Sequence, residues 1–573
     1  TDYNRVRMTR MFSTGYAAIE PVKGLKLKET LSYDYTIQKD SRYYNPLSSA
    51  GPKSGSDAQT AKGFIEYGKL ISSTSLNYVH TFAHKHHLNV LAAYEIESYQ
   101  TDHASGEKSK LPSDKLTEPD NAAVLNSFKS ATQAYRMISY LSRLNYDYDD
   151  RYYIAGSYRR DGSSRLSPNN RWGNFWSVSG MWHLGNENFM KAVKPVLSDV
   201  KIRASYGVNG NQPGSYYGYK GLYSYGENYM EAAGSYESSQ PNDLLTWEKN
   251  YSLNLGIDLS FINRIFASLE YYNRDTKDLL YSLPISATTG FTSYLSNIGR
   301  LNNKGIEFEL RTLNVVSNDF NWTSVFNLSH NRNKIVSLNG LLDQTIEGTW
   351  FIHKVGLPYH TFYVKEFAGV DPLTGSAQYY LNTKNEDGSY NRELTTDAAK
   401  AESIPYKTAT PKVSGGFTNI LNYKWIDLTF TLIYSLGGYS FDKLGTYIEN
   451  GSSSIYSSRY NLPAYMINRW QKPGDQTDIP RFVYGEPATS TNSSRYIHST
   501  DHLRLKNFTL GFTLPNQWTQ KLMIDKIRVY FSGNNLLTWA KWKQYDPETP
   551  VNGEVFCEAP AMRTFSFGAQ LSF

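Results

Sequence analysis

Three histidines fall within four residues, His84-Lys85-His86-His87. Imidazoles this close hold zinc when further ligands complete the shell. The segment sits at a short connection with no fixed carboxylate beside it, so a solvated turn is expected. Glu307 and Glu309 lie two apart on an alternating run and share its polar face. Paired carboxylates suggest glycoside hydrolysis, which needs an acid and a base in distinct environments. None is visible, and the pair reads as electrostatics on a polar wall. Asp371-Pro372-Leu373-Thr374-Gly375 lacks the alternating acidic series of a calcium loop. Proline setting φ and glycine permitting positive φ make it a turn, as at Asp546-Pro547-Glu548. Asp161-Gly162 reads as a hairpin-turn dipeptide, its flanking arginines facing a partner, an interior or lipopolysaccharide. No helical pattern follows Gly207-Val208-Asn209-Gly210, which argues against a nucleotide loop. The one cysteine, Cys557, leaves no internal disulfide and no thiolate metal cluster. No nucleophile–histidine–acid set emerges. The expectation is a protein that is not an enzyme, with no cofactor and no bound metal.

The aromatic residues carry more information. The chain holds 47 Tyr, 26 Phe and 11 Trp. Tyr216, Tyr217, Tyr219, Tyr223, Tyr225 and Tyr229 crowd one long connection, and Trp539 and Trp542 begin another. Such rings stack on sugar faces, anchor protein interfaces or pack their own loops, and all three uses stay open here.

The elements that position these residues are strands. Tyr251, Leu253, Leu255, Ile257, Leu259 and Phe261 alternate with polar residues, a tight turn follows at Asn263-Arg264, and Ile265, Ala267, Leu269 and Tyr271 resume the apolar face. Trp322, Phe326 and Leu328 repeat the pattern, as do Ile426, Leu428, Phe430, Leu432 and Tyr434. The chain closes on Phe565, Phe567, Ala569, Leu571 and Phe573, one apolar face with a terminal aromatic, which reads as a barrel-assembly signal. Runs of about 10 residues exceed ordinary soluble strands and match a tilted bilayer crossing. No run of about 18 apolar residues is present, so membrane helices are excluded. Connections alternate short and long. The short ones lie near 20–24, 82–86, 147–150, 262–264, 314–319 and 422–425; the long ones near 39–66, 101–132, 210–248, 278–302, 333–408, 438–500 and 538–561. The same asymmetry marks membrane β-barrels. The fold expected is an all-β transmembrane antiparallel barrel of about 17 strands, the first near 8–19. With Phe573 on the periplasmic side, the odd count places Thr1 outside and implies strands upstream, since an open edge in lipid leaves backbone groups unpaired. The absence of a signal peptide and initiator Met fits a mature or partial chain. A net charge of +6 over 573 residues, without a dense basic block, argues against nucleic acid.

Several motifs resemble the SusC/RagA family of TonB-linked outer-membrane transporters. They are Arg159-Arg160-Asp161-Gly162-Ser163-Ser164-Arg165 with Arg171-Trp172-Gly173-Asn174-Phe175; Lys201 to Gly207 with Gly210-Asn211-Gln212; Trp247-Glu248-Lys249-Asn250; and Asn302 to Glu307. Arg469-Trp470 with Pro480-Arg481, Leu503 to Asn507 with Gly511 to Pro515, and Asn534-Asn535-Leu536 with Asp546-Pro547-Glu548 complete the colinear set. The resemblance implies that residues 1–573 are the C-terminal part of a 22-stranded barrel, with the N-terminal plug and TonB box absent from this chain. It further implies active import of oligosaccharides or peptides, with a SusD-like lipoprotein cap outside, TonB acting through the plug, and outer-membrane lipid and lipopolysaccharide around the wall. The tyrosines at 216–225, Trp539 and Trp542 are then candidates for contact with substrate or cap. The competing expectation is a passive porin-like barrel without energy coupling.

Overall fold

The computed structural model describes residues 2–46, 58–113, 115–338, 344–347, 350–449, 461–483, 492–519 and 524–572. Phe573 lies outside the described residues. Seventeen strands form one antiparallel sheet. In chain order they are β1 Tyr3–Val22, β2 Leu25–Tyr44, β3 Gln59–Phe82, β4 His86–Ser109, β5 Val124–Tyr148, β6 Tyr152–Ser163, β7 Trp172–His183, β8 Leu197–Asn211 and β9 Glu248–Phe261. There follow β10 Ile265–Lys277, β11 Arg300–Val316, β12 Phe320–Ser337, β13 Val413–Tyr423, β14 Ile426–Leu436, β15 His502–Thr513, β16 Lys526–Ala540 and β17 Thr564–Ser572. No helix among the described residues is long and apolar enough to cross a membrane.

The chain divides into two compact units. Unit 1 holds Thr1–Trp182, Ala204–Leu253 and Thr276–Ile298; unit 2 holds His183–Arg203, Asn254–Asp275 and Gly299–Phe573. In unit 1, β1 to β7 pair each with the next, and a single register row runs Ile19, Leu27, Leu76, Ala92, Ser142, Tyr158, Trp176. In unit 2, β11 to β17 do the same, with the row Val315, Trp322, Leu421, Leu428, Leu510, Phe531, Phe567. Because side chains alternate along a strand, each row fixes one whole face as apolar and the other as polar.

The polar face is held by ion pairs across strands. Arg10 donates to both oxygens of Asp34, Nε–H at 2.8 Å and Nη2–H at 2.6 Å. Lys69 pairs with Glu97 at 2.9 Å. Arg203 donates to Glu270 at 2.7 Å and to Asp258 at 3.2 Å, and Arg528 donates to both oxygens of Asp427. Glu307 and Glu309 lie opposite Ser329 and Asn327 on this face, bordering a small hollow with Ser268 and Glu270.

Connections at one end are tight: 23–24, 83–85, 149–151, 262–264, 317–319 and 424–425. His84 sits in one of them at φ +59°. His86 and His87 leave it on β4 and diverge, His86 toward the Tyr146 hydroxyl at 2.8 Å and His87 toward Thr81 Oγ1 at 3.0 Å. Contrary to expectation, carboxylates do stand beside His87, those of Asp147 and Asp150, with ligand atoms within 4.8 Å of one another. Short 3-10 turns, Leu184–Asn186 and Asn188–Ala192, link β7 to β8, and the helix Asn516–Thr519 follows β15. The opposite end carries the long connections.

Two expectations change. The strands β2 to β5 run to 20–25 residues, so the long connections near 39–66 and 101–132 shrink to 45–58 and 110–123. Asp161-Gly162 is not a turn. Both residues stay in β6, opposite Gly173 and Trp172 of β7, and the chain reverses at 164–171. Asp161 is kept there by Arg159, whose Nε–H donates to it at 2.7 Å. A Cβ at residue 162 would come within 2.8 Å of the Trp172 ring, so the glycine serves ring packing rather than chain reversal.

Candidate functional site

The long-connection end carries the candidate binding groups, described unit by unit. In unit 1 the support is an apolar cluster of Leu166, Phe175, Val208, Leu245 and Trp247. Trp247 Nε1–H donates to the Arg171 carbonyl at 2.9 Å, and its ring meets Phe175 edge-on at 5.4 Å. Above it Ser163 Oγ–H donates to Gln212 at 2.6 Å. The Arg165 guanidinium lies 4.1 Å from the Tyr135 ring centre and 4.6 Å from that of Tyr216, and Arg165 also donates to the Pro213 carbonyl at 2.9 Å. Tyr216 stacks with Tyr99 at 6.2 Å, and Tyr217 Oη accepts from the Ala134 N–H at 3.2 Å. Tyr216 and Tyr217 are therefore partly buried, as is Tyr219, packed against the cluster. Cation–π contacts of this kind stiffen the connection.

Tyr223 and Tyr225 differ. They lie on the strand Leu222–Tyr225, which pairs with Ser235–Ser239 in an outer hairpin. Tyr225 and Tyr229 are each 74% exposed and Met230 84%, and Tyr223 and Tyr236 are also exposed. Several large apolar and aromatic side chains exposed on one hairpin mark a candidate contact surface. A second hairpin, Leu280–Pro284 with Ser293–Asn297, braces the same connection: Asn242 Nδ2–H donates to the Leu295 carbonyl and Asn297 Oδ1 accepts from the Thr246 N–H.

In unit 2 the Asp371–Gly375 segment is a closed turn. Asp371 Oδ1 accepts from the Leu373 N–H at 2.9 Å and Oδ2 from Thr374 Oγ1 at 2.6 Å. The Thr374 hydroxyl and the Leu373 N–H hold its carboxyl below the usual range. Trp470 Nε1–H donates to the Pro372 carbonyl at 3.0 Å. Gly375 has φ +72°, and a Cβ there would meet the Trp470 ring at 2.3 Å. Asp546-Pro547-Glu548 instead docks on β15. Arg504, nearly fully buried, donates to Asp546 at 2.5 Å and pairs with Glu548 at 3.2 Å, and Lys506 pairs with Glu548 at 2.8 Å. Burial raises the Asp546 carboxyl, but hydrogen bonds from Arg504 and from the Glu548 and Ala561 N–H groups outweigh it, leaving it below the usual range.

Trp539 and Trp542 separate. Trp539 is exposed at the end of β16. Trp542 is buried, stacked on His498 at 4.5 Å and near Tyr545 at 5.0 Å, so its ring is engaged in packing. His498 belongs to a three-stranded sheet of Ile497–Ser499, Tyr439–Asp442 and Glu554–Val555. Burial, with the nearby Arg495 charge, pushes its imidazole down to about 4. In the same sheet burial lifts the Asp442 carboxyl to about 6 against the hydrogen bond from Gly445 N–H, and the Glu449 charge adds to the rise.

Sequence reading missed Arg165, Tyr99 and Tyr135, because the stack joins residues from three separate elements. It found the tyrosine-rich connection but not the division into packed and exposed halves.

A sequence profile described as "TonB dependent receptor-like, beta-barrel" matches residues 1–536. The chain belongs to this TonB-dependent receptor β-barrel family. It is 30% identical to TonB-dependent receptor P3 of Formosa agariphila over 97% of the chain and 57% of that protein. It is 32% identical to TonB-dependent receptor SusC of Bacteroides thetaiotaomicron over 80% of the chain and 45% of that protein. The solved RagAB peptide transporter superposes with a TM-score of 0.89 at 28% identity, covering 100% of this chain and 62% of that one. The chain thus spans about half the length of the curated receptors it matches, 45% to 57%. In the terms of this family, the apolar face is the outside of a β-barrel wall and the polar face its inside.

Proposed function

We propose that this chain forms the wall and outer loops of an outer-membrane importer for oligosaccharides or peptides. Strands β1 to β17 would cross the outer membrane with the long connections outside. A SusD-like surface lipoprotein would cover those connections, and TonB would supply energy through a plug outside this chain. The observation that carries this reading is the likeness of this whole chain to 62% of the solved RagAB transporter chain. The exposed hairpin Leu222–Tyr225 with Ser235–Ser239 supports the capped arrangement, since its tyrosines and Met230 offer exposed aromatic and apolar side chains of the kind that anchor interfaces. Specificity would come from the polar wall and the Arg165–tyrosine stack, which can hold planar or hydroxylated groups by stacking and hydrogen bonding.

The test is co-purification. The intact receptor, tagged and extracted from its native membrane, should bring down a lipoprotein. Trimming residues 226–234 removes the hairpin tip and leaves Leu245 and Trp247 in their cluster; the lipoprotein should then be lost while the barrel still assembles. A trimmed receptor that retains its partner would count against this contact surface.

A further inference from the structure

A cavity of about 1360 Å³ opens in unit 2 where the 541–563 connection meets the tops of β14 to β17. Leu436, Leu503 and Trp539 line it from the apolar face of the sheet, and all three are exposed. Leu503 and Trp539 are register partners, and Leu436 lies two residues beyond Tyr434, which pairs with Leu503. These positions are 10–13 residues from the far ends of their strands, Ile426, Thr513 and Lys526. At a rise of about 3.3 Å per residue and a tilt of about 40°, they stand roughly 25–33 Å up the wall, at the upper limit of an apolar band about 25 Å tall. Lys541 and Lys543, just past the end of β16, line the cavity with Trp539, while the intervening Trp542 is buried in its stack. Arg563 heads the apolar column of Phe565 and Phe567 on β17.

The charge around this cavity is unbalanced. Among the described residues, the side chains of Lys541, Lys543 and Arg563 have no hydrogen-bond or ion-pair partner. Of the acids beside them, Asp546 is paired with Arg504, whereas Asp501 and Glu558 accept from the Gly437 and Phe556 N–H groups and keep their charge, so three cations face two carboxylates without a cationic partner among the described residues. Free cations above an exposed apolar wall, at headgroup height, complement one chemistry: an anionic head on an acyl chain.

We propose that this cavity holds a phosphorylated lipid of the outer leaflet. Its phosphate sits among Lys541, Lys543 and Arg563, and its acyl chain runs down past Trp539, Leu503 and Leu436. The site rests on the membrane placement of the apolar face but not on which nutrient is imported or on the lipoprotein cap.

The test uses the intact receptor in neutral detergent, with lipid retention read by native mass spectrometry and titration. The probe is phosphatidylglycerol; diacylglycerol supplies the same chains without phosphate, and inorganic phosphate supplies the anion without chains. Phosphatidylglycerol should bind and the other two should not compete. K541Q/K543Q/R563Q should weaken binding on the order of 100-fold, about fivefold per cation. R5Q/R7Q/K39Q, which removes as many cations from a separate hollow in unit 1, should bind as the parent does. If the first triple variant fails to assemble, R563Q alone carries the test at about fivefold. Equal losses in both triple variants, equal binding of diacylglycerol, or full competition by inorganic phosphate would each overturn the assignment. An unchanged bilayer-insertion assay beside a failed lipid titration would separate loss of this site from loss of the membrane reading.

Discussion

Arg504 shows what the motif residues do individually. It lies in a run that resembles a family signature, and its guanidinium meets Asp546 and Glu548 of another such run 42 residues away. Arg203 plays a similar part at Asp258 and Glu270. The signatures are joints between strands and connections rather than reaction centres. Arg504→Gln should take the cationic partner from half-buried Asp546, leave Glu548 to Lys506, and destabilise the 541–563 connection by about 1–3 kcal/mol. Limited proteolysis within 541–563 reads this directly, and Arg504→Lys should rescue little, because a point charge cannot replace the fork that serves both acids. Asp546 adds an acid dependence. Its folded-state carboxyl lies below the usual range, so its stabilising contribution is full above about pH 4 and is lost as pH falls through the lowered value. Asp546→Asn should remove that acid sensitivity.

At the scale of the element, facing is the first test. Leu255 lies on the apolar side of β9, six residues from the strand's tight-turn end at Phe261, or about 15 Å up the wall. Leu255→Arg should cost about 2–4 kcal/mol and reduce assembly, read by heat-modifiable gel mobility. Asn254→Arg, one residue away on the polar face, should be tolerated, and equal losses would refute the register. The second test concerns the outer sheet that holds Asp442 and His498. Asp442 titrates at about 6 when folded, above its ordinary value, so its contribution is greatest in acid and declines as pH rises toward 6. His498 titrates at about 4, below its ordinary value, so its contribution is full above about 6.5 and declines as pH falls toward 4. The two slopes oppose each other, and hydrogen exchange of residues 439–442 should be nearly flat over this range. Asp442→Asn should expose the histidine slope, with protection falling in acid by at least about tenfold; His498→Gln should expose the reverse.

At the scale of the whole molecule, the proposed lipoprotein should co-purify with the receptor unless the 226–234 tip is removed, and the pull-down described above checks this. Alternation made the strands legible wherever one face is apolar and the other polar, because a one-residue slip there would exchange the two faces. It faded along the upper ends of β2 to β5, as in Thr101, Asp102, His103 and Ser105, where both faces are polar and only the backbone ladder carries the strand onward. The Asp161-Gly162 pair misled for the same reason: a turn dipeptide reports local preference, and the Trp172 ring across the ladder overrode it. Strand number, the polarity of each face and the rhythm of short and long connections were determined by sequence, since they rest on period-two patterning and turn chemistry that act over a few residues. Only the tertiary structure decided which aromatics are packed and which are exposed, which acids carry a cationic partner, and where Lys541, Lys543 and Arg563, without a partner among the described residues, line one cavity with Trp539 and Leu503. Those properties depend on contacts between residues tens of positions apart, which no local pattern encodes.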